Sequence, residues 1–440
     1  MHSVFRIKKA VRSLAVLAAS SMAFTGCYKY KELQQVPNAA YLRVFNSLPF
    51  TVDALHAGQA APFLCFLVDP VLDADGLPNG GAIVGDWLQT RNLFSLSYAA
   101  DAATAMNAQS KASQINAGLP AQDVVNANYE YPGKLHVLTA PAMNGMDLSA
   151  WAQVPSGKHR FVFVARPQDN RPFGGLPGTL RKTVIIDTTL DLEPGEVYTM
   201  NALATDIDKN QYGVNVRQEQ FVHEDFDPAR MYATFYNLSG VRPYLATDPH
   251  FPLYWYYADT MMISYTCWIN DDNLSNGVAN PQWPLTGSNN VYMATVYRGK
   301  TNGVFTSLPF LSRDYYFDQQ GVLRTWTYLN PGSATKSGTL PYFSFKFTDA
   351  SPVRAQYGTY PLLLCSADPA VYNTLENSIN ISTGSPLQGP NPSLIYQPNL
   401  FGVVQSGGAV NVYPTVNIFE IINDRVYLMQ LQRDFEKVPQ

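Results

Sequence analysis

One short acidic segment has the residue types that metal binding or acid–base chemistry needs. His223, Glu224 and Asp225 are adjacent, and Asp227 follows two positions later. Successive side chains of an extended segment point to opposite faces, so His223 and Glu224 would not converge on one ion or substrate. The pattern therefore predicts a solvated linker and no metal site.

A second acidic segment has spacing like that of a calcium-binding loop. Asp69, Asp73 and Asp75 supply alternating carboxylates, and Gly76 permits a tight turn. A helix–loop–helix calcium site ends on a bidentate Glu, but Val84 occupies that position. The sequence favours an ordinary loop and leaves calcium binding open.

A run of aromatic side chains, Tyr254, Trp255, Tyr256 and Tyr257, has the chemistry of a sugar-binding platform. On a strand, Trp255 and Tyr257 share one face, and the other two rings share the opposite face. Exposed rings of this kind stack on sugar rings. Core packing is the commoner outcome, because large aromatic side chains are usually well buried.

The first 26 residues have the pattern of a secretory signal peptide. Four basic residues precede an apolar stretch, 13–24, which is shorter than the roughly 20 residues that a membrane-spanning helix needs. The segment Phe24-Thr25-Gly26-Cys27 resembles the lipobox of bacterial lipoproteins, although Phe24 replaces the usual Leu. The resemblance implies cleavage before Cys27 and a diacylglyceryl group on its sulfur. An ordinary secretory signal is the alternative.

A lipid on Cys27 would hold the protein on a membrane, because two or more acyl chains give stable anchoring. Tyr28 follows the cysteine, where Asp would signal retention in the inner membrane. The sequence therefore predicts an outer-membrane lipoprotein and leaves open which side of that membrane it faces.

The composition of the remaining chain argues against nucleic-acid partners. After residue 26 the chain has 26 basic and 34 acidic side chains, hence a net charge of −8 that repels polyanions. Only 15% of all residues are charged and 13% are aromatic. This combination is typical of an extracytoplasmic β-rich protein, since surface helices would need more Lys and Glu.

Three cysteines, Cys65, Cys267 and Cys365, lie beyond the leader in apolar stretches. An odd number leaves at least one free thiol even if one disulfide forms, and buried inert thiols are favoured. The sequence contains no Cys-x-x-Cys, no nucleophile elbow, no zinc-protease motif and no phosphate-binding loop. It therefore predicts neither an enzyme nor a cofactor.

Period-two alternation of apolar residues, which is typical of half-buried strands, dominates the chain after residue 40. In the first strand, Leu42 and Val44 are predicted to face the core and Arg43 the other side. Helix is expected only at 99–118, as a surface helix or loop, and at 367–379. Strands are predicted at 41–46, 159–165, 183–190, 196–204, 212–218, 231–238, 262–269, 291–298, 322–329, 342–347, 359–365, 416–422 and 427–431.

Similar segments recur in the same order in the two halves of the chain. Residues 40–47 resemble 231–238, 156–164 resemble 357–365, and 196–200 resemble 425–429. The predicted fold class is therefore all-β, with two tandem Ig-like or transthyretin-like β-sandwich domains that carry long loop insertions. The predicted organisation is a signal peptide (1–26), a tether (27–39), a first sandwich (40–206), a connecting segment (207–230), a second sandwich (231–435) and a tail (436–440).

Segments of the first half resemble a bacterial family called domain of unknown function 4397. They are an opening strand that ends at 46–49 and continues into 51–58, a strand entry at 154–159, and a closing strand at 194–199. The second half lacks the valine–aspartate match after Asn237. The resemblance implies secreted or lipid-anchored β-sandwiches, often in tandem, without a defined activity.

The sequence predicts a non-enzymatic structural or binding role for a lipid-anchored protein. Its partners would be the membrane, through Cys27, and a polysaccharide or other envelope proteins. One alternative, motivated by the aromatic-rich second half, is a glycan-binding accessory of a polysaccharide-uptake system. A further alternative is a hydrolase in which two carboxylates converge in a cleft.

Overall fold

The computed structural model describes most of the β-rich body of the chain. The residues it describes are 35–48, 63–88, 138–166, 169, 171–206, 209–241, 260–270, 282–301, 303–317, 321, 340–349, 362–365, 395–397, 400–406, 409–422 and 425–433. Several predicted features lie outside the described residues: the leader (1–26), Cys27, Tyr254–Tyr257, the helix candidates 99–118 and 367–379, and the strand candidate 322–329.

Strands dominate the described residues, and no α-helix occurs among them. The all-β prediction is therefore confirmed. The helical elements in these ranges are short 3-10 turns, at Phe173–Gly175, Gly178–Leu180, Gln220–Val222 and Arg313–Tyr315. Nowhere in the described ranges is there a helix with the length and apolar character that a bilayer crossing requires.

Strands of the first half form two four-stranded sheets, which we number in the order in which they stack. Sheet 1 has the strand order β3-β2-β5-β6, and sheet 2 has the order β4-β1-β7-β8. Neighbouring strands are antiparallel except β1 and β7, which are parallel. The strands are β1 (Ala39–Asn46), β2 (Phe63–Leu72), β3 (Pro78–Leu88), β4 (Ala152–Pro155), β5 (Gly157–Arg166), β6 (Val184–Leu192), β7 (Val197–Asp206) and β8 (Gln211–Gln218).

Sheets 1 and 2 enclose an apolar core made by alternate residues of their strands. Leu42 and Val44 of β1 are fully buried there, as predicted, together with Phe66 of β2 and Phe163 of β5. The Phe66 and Phe163 rings lie 5.1 Å apart. Because strand side chains alternate between faces, every second residue of β1 is left to face away from this core.

Strands of the second half form two further sheets. Sheet 3 has the order β13-β9-β18-β17, with β19 also paired to β18, and β9 is parallel to β18. Sheet 4 has the order β11-β10-β14-β15-β16, with β12 also paired to β10. The strands are β9 (Met231–Asn237), β10 (Thr260–Asn270), β11 (Gln282–Pro284), β12 (Val291–Tyr297), β13 (Thr306–Leu308), β14 (Tyr342–Asp349), β15 (Leu362–Cys365), β16 (Ile395–Gln397), β17 (Phe401–Ser406), β18 (Ala409–Ile422) and β19 (Arg425–Gln432).

A second core lies between sheets 3 and 4 and is rich in phenylalanine. Phe235 of β9 stacks on Phe419 of β18 with ring centroids 4.4 Å apart, and it meets Phe345 of β14 edge-on at 5.1 Å. Phe343 and Phe347 are buried on the same face of β14. The predicted alternation of the segment 342–347 is therefore confirmed.

Sheets 2 and 3 also pack against each other. Their facing surfaces share a third buried cluster, which includes Val197 and Leu203 from β7 together with Val416 and Ile418 from β18. Arg43 points away from the first core, as predicted, yet it is buried in this third layer. The four sheets thus stack in the order 1, 2, 3, 4, and sheets 2 and 3 are covered on both faces.

The strand pairing of sheet 2 recurs in sheet 3. In both sheets an opening strand (β1, β9) lies parallel to a central strand (β7, β18), which pairs antiparallel with the next strand (β8, β19). The predicted match of 40–47 with 231–238 fits this arrangement. The match of 196–200 with 425–429 is wrong, because β18, and not β19, takes the position of β7. The match of 156–164 with 357–365 is also displaced by one strand. Residues 156–164 contain most of β5 and 357–365 contain β15, but β14 is the counterpart of β5, because β14 pairs with β10 as β5 pairs with β2.

Strand β8 corrects one further detail of the predicted organisation. It lies within the predicted connecting segment, 207–230, yet it is the fourth strand of sheet 2. The first pair of sheets therefore extends past residue 206 to Gln218.

The buried asparagines that end the two opening strands make equivalent turns. Asn46 accepts a hydrogen bond from the Leu48 N–H at 3.3 Å, and Asn237 accepts one from the Ser239 N–H at 3.2 Å. The next residues also match, because the Leu238 N–H donates to the backbone carbonyl of Ile421, just as the Ser47 N–H donates to that of Ala202. The recurring Asn is therefore explained by the same local hydrogen bond, from the N–H two residues later to the Asn side chain, at the end of each opening strand.

We expect Asn46→Ala and Asn237→Ala each to lower the free energy of unfolding by about 1–3 kcal/mol, because each leaves a buried N–H without its acceptor. Urea titration measures the loss. Asn79→Ala, at an exposed site, is the matched control and should stay within about 0.5 kcal/mol of wild type. Equal stability of all three variants would contradict this role for the asparagines.

Candidate functional site

Two of the three carboxylates of the calcium-like segment, those of Asp69 and Asp73, are bound by other groups of the protein, and Asp75 is exposed. The Asp73 carboxylate accepts hydrogen bonds from the backbone N–H groups of Asp75 and Leu77, at 3.1 and 2.9 Å. It also forms an ion pair with Arg181 at 2.8 Å. Asp69 binds the ring of His159 at 2.6 Å. These contacts make the segment a self-capped turn between β2 and β3.

The Asp73 turn should make stability sensitive to acid. The hydrogen bond from Leu77, with help from Arg181, lowers the pKa of Asp73 below its usual value. A lowered folded-state pKa contributes stability above the unfolded-state pKa, and this contribution is lost as the pH falls through the folded-state value.

We therefore expect wild type to lose stability more steeply than Asp73→Asn when the pH falls below about 4. Urea midpoints measured between pH 7 and pH 2.5 test this difference. The side-chain oxygen of Asn can still accept the hydrogen bonds of the turn, but Asn does not titrate. The variant therefore isolates the contribution of the Asp73 charge to stability. Parallel midpoint curves for the two proteins would show that Asp73 does not contribute.

The residues of the cluster around His223 diverge. The His223 ring contacts Glu196 at 2.8 Å, whereas the side chains of Glu224 and Asp225 are exposed. Asp227 caps the N–H of Ala229. Across the described part of the chain, no three His, Cys, Asp or Glu side chains are grouped so as to hold a metal ion.

The two cysteines whose side chains are described are buried free thiols, as predicted. Cys65 lies in sheet 1 and Cys267 in sheet 4. Burial raises the pKa of Cys65 far above its usual value and that of Cys267 to about 12. Both therefore remain protonated and unreactive at neutral pH.

A buried ionic network joins sheets 2 and 3. The fully buried Arg217 donates to Glu219 at 2.8 and 3.1 Å, and its Nη1 lies 2.6 Å from Oε1 of Glu420. Burial opposes the charge of Arg217, but the two carboxylates raise its pKa above its usual value. Arg217 and Glu219 come from β8 and the residue after it, whereas Glu420 comes from β18 in the other half of the chain.

The network continues to a second arginine at the same interface. The Thr199 hydroxyl donates to Glu219 at 2.5 Å, and Arg43 donates to the Thr199 oxygen at 3.2 Å. The Arg43 guanidinium carbon lies 3.9 Å from the ring centroid of the buried Trp151. Charges from strands β1, β8 and β18 are thereby held together between the two halves.

Glu219 and Glu420 converge, but neither has solvent-exposed surface. General acid–base catalysis requires a carboxylate within hydrogen-bonding reach of a substrate. The pair instead balances the charge of Arg217, so the chemistry of this network is structural.

Sequence reasoning missed this network, although a signal was present. Glu420 interrupts the apolar run of β18, and Arg217 and Glu219 are spaced to share one strand face. Charged residues within strands that are buried on both faces need partners, which predicts a contact without naming the partner.

The outer face of sheet 4 exposes aromatic side chains. Tyr292 and Tyr297 of β12 are 60% and 54% exposed, and Met262 of β10 is 39% exposed. Farther along β10, the Trp268 indole N–H donates to Ser344 at 2.8 Å. These aromatic side chains lie in the second half of the chain, where the sequence predicted a glycan platform, but at other residues.

No protein-family model matches the chain, and no curated protein is significantly similar to it.

Proposed function

We propose that this protein is a lipid-anchored protein of the bacterial outer membrane with a non-enzymatic structural or binding role. The leader carries the proposal: four basic residues, the short apolar stretch 13–24 and Cys27 directly after Gly26. Cleavage before Cys27 and acylation of its sulfur would attach the chain to the membrane by lipid alone. Tyr28 in the next position favours the outer membrane.

We infer that the body consists of two related Ig-like or transthyretin-like sandwiches in tandem, as in the family of domain of unknown function 4397. The shared pairing of β1-β7-β8 and β9-β18-β19 supports this relationship. The equivalent turns at Asn46 and Asn237 support it independently. The third apolar layer joins the two sandwiches through shared packing.

A non-enzymatic role is supported by how the described ionisable groups are used. Glu219 and Glu420 are enclosed with Arg217 between sheets, and Asp73 caps its own turn. The hydrolase alternative needs two carboxylates in an accessible cleft, and the convergent pair seen here is inaccessible. These four groups thus serve the fold.

Labelling of cells with palmitate tests the anchor. We expect the wild-type chain to be labelled and to sediment with membranes, and Cys27→Ala to be unlabelled and released. Cys65→Ala removes a different cysteine and should be labelled like wild type. Equal labelling of wild type and Cys27→Ala would contradict the proposal.

A further inference from the structure

The exposed tyrosines of sheet 4 share a face because of an irregularity in the strand pairing. The register of β10 and β12 shifts between Ile263 and Ser264, so that Tyr292 pairs with Ser264 while Ala294 pairs with Ile263. Without this bulge, Tyr292 and Thr295 would point to opposite faces. Bulges re-aim side chains and are common beside functional sites.

The contacts of these side chains confirm that they share the outer face. The Tyr292 hydroxyl lies 2.9 Å from that of Thr295. Tyr297 is the next outward residue of β12 after Thr295, and its ring is also exposed. At about 3.3 Å per residue, Tyr292 and Tyr297 are separated by about 16 Å, the span of a short oligosaccharide.

Hydroxyl and amide groups lie beside the rings. Ser264 of β10 pairs with Tyr292 on one side and with Lys346 of β14 on the other. The Ser264 hydroxyl donates to Asn290 at 2.8 Å, which fixes both groups at the edge of the face. Such groups supply the donors and acceptors that sugar hydroxyls require.

The charge on this face selects among sugar ligands. Lys346 is exposed, and among the described side chains that point outward from β10, β12 and β14 it is the single charged group. Two strand spacings place Lys346 about 10 Å across the sheet from Tyr292. A sugar stacked on Tyr292 would therefore extend an acidic substituent over Ser264 towards Lys346.

We propose that this face binds an oligosaccharide that carries a carboxylate sugar of the uronic-acid class. Tyr292 and Tyr297 stack on sugar rings, Ser264 bonds hydroxyl groups, and Lys346 pairs with the carboxylate. The net charge of −8 beyond the leader disfavours long polyanions, so the fit is to short acidic segments. The proposal deepens the binding role of the proposed function, but the face itself does not depend on the anchor.

Calorimetry with the mature protein, purified from cells in detergent, tests the site, using a uronic-acid trisaccharide and its methyl ester as probes. We expect the acid to bind about fivefold more tightly than the ester, as an exposed ion pair allows. Tyr292→Ala should weaken both ligands about tenfold, and Tyr292→Phe, which keeps the ring, should retain most of the binding. Lys346→Gln should abolish the preference for the acid and leave the ester unchanged.

Lys158→Gln, which removes an exposed charge from sheet 1, is the matched control and should bind like wild type. Failure of wild type to bind either probe at millimolar concentration, tighter binding of the ester, or wild-type affinity in Tyr292→Ala would overturn the site. Palmitate labelling of the same preparation separates the two proposals. A labelled protein that does not bind refutes the site alone, and an unlabelled protein that binds refutes the anchor alone.

Discussion

Arg217→Met is expected to lower the free energy of unfolding by about 3–5 kcal/mol, because it leaves Glu219 and Glu420 buried without their cation. Both carboxylates are fully enclosed between sheets 2 and 3. Met preserves much of the volume of the Arg side chain, so the lost stability comes mainly from the missing charge and less from altered packing. Urea denaturation followed by far-ultraviolet circular dichroism measures it.

A second variant separates charge from shape. Combining Arg217→Met with Glu219→Gln and Glu420→Gln removes the uncompensated charges, so we expect it to recover a substantial part of the lost stability. Arg160→Met is the surface control: Arg160 pairs with Asp187 at 2.6 Å, but its side chain is 46% exposed. That pair should contribute less than about 1 kcal/mol. Equal losses in Arg217→Met and Arg160→Met would contradict a buried network.

Trp151→Ala is expected to have a similarly large effect, about 3–5 kcal/mol, because it opens a cavity in the apolar layer between sheets 2 and 3. The Trp151 ring lies under the Arg43 guanidinium and 6.0 Å from the ring of Phe221. The substitution therefore removes a cation–π contact as well as packing. Chemical denaturation quantifies the loss.

Trp283→Ala is the matched control for the size of the side chain. Trp283 is 43% exposed on β11, and its removal should cost on the order of 1 kcal/mol. We expect wild type and Trp283→Ala each to unfold in a single transition, since the apolar layer between sheets 2 and 3 couples the two halves. Two separated transitions in wild type, or equal losses for Trp151→Ala and Trp283→Ala, would show that sheets 2 and 3 do not share a core.

The alternation of side chains made much of the fold predictable. Leu42 and Val44 point into one core, and the phenylalanines of 342–347 into another, because period two fixes the faces of a strand. The match between the opening strands was also readable, since both end in an Asn that the same turn requires. Local pattern thus predicts strands and their faces.

The pairing between distant strands could not be predicted from the sequence. The segments 196–200 and 425–429 look alike because both are apolar strands with a tyrosine, yet parallel pairing with the opening strand places β18 opposite β7. Similar composition does not determine which strand lies next to which. Strand order depends on long-range contacts that a single sequence does not display.

The sequence did not predict the third apolar layer, between sheets 2 and 3, for a related reason. Arg43 and Glu420 have the residue types of a solvent-facing side, and alternation assigned Arg43 to the face opposite the core. The packing of sheet 2 on sheet 3 buries that face, and mutual neutralisation makes the burial tolerable. Likewise, the exposure of Tyr292 depends on a bulge that leaves no mark in the residue pattern.

Mass spectrometry of the N-terminal peptide of the mature protein tests the central claim most directly. The lipid-anchor account predicts a chain that begins at Cys27 and carries a diacylglyceryl group on the sulfur, with residues 1–26 absent. A mature chain that begins elsewhere, or one that begins at Cys27 with a free thiol, would contradict it.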